Sequence, residues 1–145
     1  MPKNKKFDQK PIEKYALMDK RPLEWFRQAD YDLKTAEIMF DNKRYIYAAF
    51  MCHLAIEKAL KGLYTRKLHA LPPKTHNLIF LLEKIKADIP HDMYDFIFTL
   101  NGVSVPTRYP EDLKTMRKDY TKSTTNPLLE KSKEVLQCLK RKLRK

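Results

Sequence analysis

Glycine is nearly missing from this chain: Gly62 and Gly102 are the two in 145 residues. Loops that cradle nucleotide phosphates need several closely spaced glycines where the backbone bends against the ligand. The Walker and dinucleotide-binding loops are therefore excluded. Cysteine is as scarce. Cys52 and Cys138 stand far apart, which rules out a paired-cysteine metal motif and makes a disulfide framework a poor reading. No apolar run approaches the roughly 18 residues that a membrane-spanning helix requires. The charged N-terminus lacks the apolar segment of a secretory signal. The expectation is a cytoplasmic protein with two reduced thiols and no membrane span.

What is abundant is lysine, leucine and alanine, which suits helices. The formal net charge is +12, and it is unevenly placed. Residues 1–22 hold seven Lys/Arg against three acids, residues 114–145 eleven against three, and residues 23–113 balance at twelve each. Two readings of the basic ends stay open. They are a solvated, solubilising surface, or they neutralise nucleic-acid phosphates and release counterions.

Residues 1–22, with Pro2, Pro11 and Pro22 among charges, read as a basic flexible arm. Residues 23–145 read as one helical domain of a length that buries a core without staples. Apolar positions at spacings of three and four predict helices over 23–42, 44–68, 76–87, 91–100 and 127–143. Thr75 is the expected cap of the third. Residues 101–125 lack clear periodicity and read as an irregular excursion. The expected fold is all-α, an antiparallel four- to five-helix up-and-down bundle with that excursion before the last helix. Ala48, Cys52, Ala55, Ala59 and Gly62 form a stripe of small residues along the second helix. Such a stripe admits another backbone closely, from a second copy in a homodimer or from this chain itself.

Several residues suggest a site. Glu57 and Lys61 lie one turn apart, beside Lys58, either as an ordinary surface ion pair or as a rim where lysines meet phosphate. His76, expected at a helix start, would meet an anion together with unpaired backbone N–H groups. Its plain alternative is a capping or packing role. Pro110 pushes Tyr109 into an extended conformation. Arg108 could then fork onto a phosphate while Tyr109 stacks on a base. Alternatively, Tyr109 packs on the bundle and Arg108 pairs with Glu111 or Asp112. His53 and Glu57 share a face, but no third ligand is near in sequence, so no metal site is expected. No cofactor is expected either.

The stretch from Tyr45 to Gly62, with Thr75-His76-Asn77-Leu78 and Arg108-Tyr109-Pro110 after it, resembles the HEPN domain family. The resemblance covers residues 24–139. It implies a helical bundle, often dimeric, and often paired with a minimal nucleotidyltransferase in a toxin–antitoxin system. Many family members are RNases that use an Arg, four to six residues, then a His. None of His53, His69, His76 and His91 has an arginine at that spacing, and Arg108 is followed there by Leu113, Lys114 and Thr115. The resemblance therefore implies a non-catalytic, binding-type member. Lys58, Lys61, His76, Arg108 and Tyr109 would line a groove for a nucleotide or RNA phosphate. The alternatives are a metal-independent RNase with a non-standard site built on His76 and Arg108, and a dimerisation scaffold.

Overall fold

A computed structural model describes residues 19–144. Of the basic N-terminal arm expected over 1–22, residues 1–18 lie outside the described residues. The described residues form seven helices in this order: α1 (Arg21–Asp41), α2 (Tyr45–Leu68), α3 (Leu78–Ile85), α4 (His91–Asn101), α5 (Ser104–Arg108), α6 (Leu113–Asp119) and α7 (Lys122–Leu143). The all-α expectation holds. Among the described residues, no helix is long and apolar enough to cross a membrane.

Pro22 sits in the first turn of α1, where its missing N–H costs nothing. Phe26, Ala29, Leu33 and Ala36 recur at three and four and are buried. The turn into α2 is short, with Lys43 in the left-handed region at φ 62° and the Asn42 side-chain amide donating to the Ile38 carbonyl at 2.8 Å. The two long helices therefore form an antiparallel hairpin. Helix α7 packs on both, and α3, α5 and α6 pack on α2. Helix α2 is thus enclosed on nearly all sides. It buries apolar Ile56, Leu60 and Leu63 and, unusually, charged Glu57 and Lys61.

The small-residue stripe is used inside the chain. Ala48, Cys52, Ala55 and Ala59 are 0% exposed. A Cβ added at Gly62 would stand 2.9 Å from two ring carbons of Phe26 and 3.1 Å from Trp25 Cβ. The element that packs on the stripe at Gly62 is therefore α1 of the same chain, through the Phe26 and Trp25 side chains. Cys52 lies against Ser132 of α7, and burial pushes its thiol up to about 12.

The structure differs from the sequence expectation in three respects. Helix α3 is capped by Asn77, whose Oδ1 accepts the Phe80 N–H at 3.0 Å. Thr75 accepts the Asn77 N–H at 3.1 Å instead. Asparagine is the better cap, and it moves the helix start past His76. The excursion lies between α4 and α7 as expected, but it is built largely of α5 and α6. Each is too short to show periodicity. Finally, α7 starts at Lys122 rather than Pro127 because Thr121 and Thr124 form a capping box. Pro127 then lies inside the helix, in its second turn, where it removes one backbone hydrogen bond.

Candidate functional site

The core of the candidate site is a carboxylate that sequence alone would put on a surface. Glu57 lies on α2 and is 3% exposed. A buried carboxylate is costly unless charge and hydrogen bonds compensate it. Both are present. Lys61 Nζ donates to Oε2 at 3.0 Å, and His76 Nδ1 lies 2.8 Å from Oε1. Lys61 follows Glu57 by one turn, so α2 itself sets that pair. His76 arrives from the segment before α3. Its ring is half exposed, and one edge is fixed by the carboxylate.

His53 stands one turn before Glu57 and is fully buried, with Nδ1 3.8 Å from Glu57 Oε1. That is beyond hydrogen-bond length. Burial pushes its pKa down to about 4. The Glu57 charge opposes that shift, and Arg108 and His76 add to it. His53 is therefore neutral at pH 7.

Arg108 closes α5. Its guanidinium carbon lies 4.8 Å from the centroid of the Phe50 ring on α2, a favourable cation–π distance. Its Nε and Nη2 are buried and meet no hydrogen-bond acceptor among the described residues. Buried donors of a charged group are seldom left so, because each forfeits its hydration. Lys61 offsets Glu57 within the cluster, so Arg108 is its uncompensated charge.

The sequence-derived candidates divide. His76, Lys61 and Arg108 gather around the stretch of α2 from Phe50 to Lys61. Lys58 points elsewhere and forms an ion pair with buried Asp32 of α1 at 2.9 Å. Tyr109 is 71% exposed, and no hydrogen bond, ion pair or ring contact ties its side chain to the cluster among the described residues. The anion site expected at a helix start beside His76 is not formed in that way. The helix begins at Leu78, whose N–H donates to Asn101 Oδ1 at 2.8 Å, and the Phe80 N–H is taken by Asn77. Among the described residues, no group of three or more His, Cys, Asp or Glu could hold a metal ion. His53 and Phe50 were missed as members of the site. The four-residue spacing His53–Glu57–Lys61 was a visible signal for the first. Nothing in the sequence marks Phe50.

Chemically, the arrangement combines a guanidinium with two buried, unpartnered donors and an imidazole whose Nδ1 is held by a carboxylate. Those groups suit an oxyanion such as phosphate.

The HEPN domain family model matches residues 23–142. Two solved structures are similar. TT1696 from Thermus thermophilus is 26% identical, with a TM-score of 0.74 over 84% of this chain and 98% of that one. ST0689, an archaeal HEPN homologue, is 24% identical, with a TM-score of 0.69 over 85% of this chain and 98% of that one. No curated protein matches. With the family match running from the start of α1 nearly to the end of α7, the chain belongs to the HEPN domain family.

Proposed function

We propose that this HEPN protein binds the phosphate of a nucleotide or RNA at Arg108 and His76, without cleaving it, and acts with a minimal nucleotidyltransferase partner in a toxin–antitoxin-like system. The observation that carries the reading is the pair of buried Arg108 donors with no acceptor among the described residues. Phosphate would satisfy both in a fork geometry. With Nδ1–H held by Glu57, His76 donates a further hydrogen bond through Nε2 when its ring is the imidazolium. Lys61 holds Glu57 in place rather than touching ligand. Tyr109, exposed next in sequence to Arg108, stacks on the base. A homodimer accords with the family resemblance, although its surface is not the buried stripe of α2.

The test is isothermal titration of ATP and of 5′-phosphorylated short RNA into the wild type and Arg108→Met. The methionine keeps apolar contact with Phe50 and removes the donors. Affinity at least about tenfold weaker in the variant supports the reading, a change of about 1.4 kcal/mol. Equal affinity sinks it.

One observation favours a second reading, a metal-independent RNase. The 2.8 Å contact between Glu57 and His76 orients the imidazole as a carboxylate orients a catalytic base. It predicts RNA cleavage in EDTA that His76→Ala abolishes.

A further inference from the structure

A second basic surface lies apart from the Glu57 cluster. The turn between α1 and α2 faces the junction of α6 and α7 across an open cleft of about 380 Å³. Lys43, Arg44, Arg117 and Lys122 line it, interleaved with Tyr47 and Tyr120. No acid lines it among the described residues. All four cations are exposed, and none takes part in an ion pair among the described residues. Three lysines of α7 farther from the cleft differ in this respect. Lys131 is paired with Asp92 and Glu134, Lys133 with Glu37 and Glu130, and Lys140 with Asp30. Of the acids near the cleft, Asp112 is occupied in capping α6, and Asp119 lies near Tyr120. Four cations gathered in one cleft with no acid in its lining mark an anion-binding surface.

Three further features say which anion. First, α2 and α7 both begin at the cleft, with Arg44 and Thr121 as their N-caps. Their positive ends add to the cationic field. No side chain caps α2, so its first-turn N–H groups remain available to an oxyanion. Second, the cleft continues along α6 into a shallower depression that adds Lys114 and Lys118. The cationic track is longer than one phosphate needs. Third, the aromatic residues are presented differently. Tyr45 is fixed edge-on against Phe40 at 5.3 Å, whereas Tyr47 is 57% exposed. A fixed aromatic wall, an exposed ring and a line of cations form the platform on which single strands stack while their phosphates are neutralised.

We propose that this cleft binds single-stranded nucleic acid, with internal phosphates along Lys43, Arg44, Arg117 and Lys122 and a base on Tyr47. The surface is independent of the Arg108 site.

The test uses a fluorescent oligo(U) of about 12 nucleotides with a 5′-hydroxyl, so that it carries internal phosphates alone. Binding is measured by anisotropy across a salt series for the full chain and three variants. Arg117→Glu/Lys122→Glu should bind at least about tenfold more weakly, with a salt slope shallower by about 1.4 for two lost phosphate contacts on a single strand. Tyr47→Ala should weaken binding by about tenfold and leave the slope unchanged. Arg141→Glu/Arg144→Glu carries the same charge change at the far end of α7 and should retain most of the affinity. All the substituted residues are exposed, and far-UV circular dichroism confirms the fold. Equal losses in the two double variants would reduce the effect to net charge and overturn the site. An unaffected Tyr47→Ala, or tighter binding of a duplex of equal length, would overturn the single-strand assignment.

Discussion

Lowering the pH should expose the cost of burying His53. Its side chain is 0% exposed, and burial holds its folded-state pKa at about 4, against about 6.5 in an unfolded chain. The unfolded state therefore binds the proton more readily than the folded state. Stability from this group is complete above about pH 6.5 and falls as pH drops toward the folded pKa. Integrating between those two values gives a loss of about 2 kcal/mol from pH 7 to pH 5. Glu57 does not rescue the charged form, because at 3.8 Å its carboxylate lacks a hydrogen bond to the ring, and Lys61 and His76 already engage it. The assay is urea unfolding at pH 7, 6 and 5 for the wild type and His53→Gln. The glutamine does not titrate, so the difference in pH dependence between the two proteins isolates His53. Whatever its absolute stability, the variant should lose about 2 kcal/mol less over that range. Parallel pH profiles would refute the reasoning, since they would mean that His53 is hydrated or charged in the native state.

Other expectations follow from the packing. Gly62→Ala should destabilise the fold despite the better helix residue, because the Phe26 ring lies 2.9 Å from the new methyl position. Overpacking costs about 1–3 kcal/mol against a helix gain of about 1, and a chemical-denaturation midpoint that rises would contradict it. Glu57→Ala and Lys61→Met should each cost about 3–5 kcal/mol by stranding a buried charge. The double variant should cost well under their sum, and a thermodynamic cycle that shows additivity would disprove the pairing. Lys86 ends α3 at φ 50°, so Lys86→Gly should stabilise the protein by about 1 kcal/mol in thermal unfolding.

The helices that bury long apolar faces were legible because their periodicity runs over several turns. Helices α1 and α2 fell within two residues of the expected bounds. Helices α5 and α6 were not legible, since five and seven residues span too few turns for a pattern to rise above the local sequence. The start of α3 was misplaced because Thr75 and Asn77 are both capable caps, and the choice rests partly on Asn101, distant in sequence, which takes the Leu78 N–H. The site was half legible. Spacing put His53, Glu57 and Lys61 on one face of α2, but spacing gives no burial. Glu57 and Lys61 read as a surface ion pair or as a phosphate-binding rim, and neither reading includes their burial in the packed bundle. Lys58, three residues from Lys61, turns to Asp32 because α1 presents a carboxylate there. Tertiary contacts of that kind leave no mark on local sequence.

The most direct measurement follows the Nε–Hε resonance of Arg108 by NMR while ATP is titrated into the protein, with Arg108→Lys to assign the signal. The account predicts that this resonance shifts and saturates, together with the His76 ring. A saturable response confined to Lys43, Arg44, Arg117 or Lys122, with Arg108 unmoved, would contradict it.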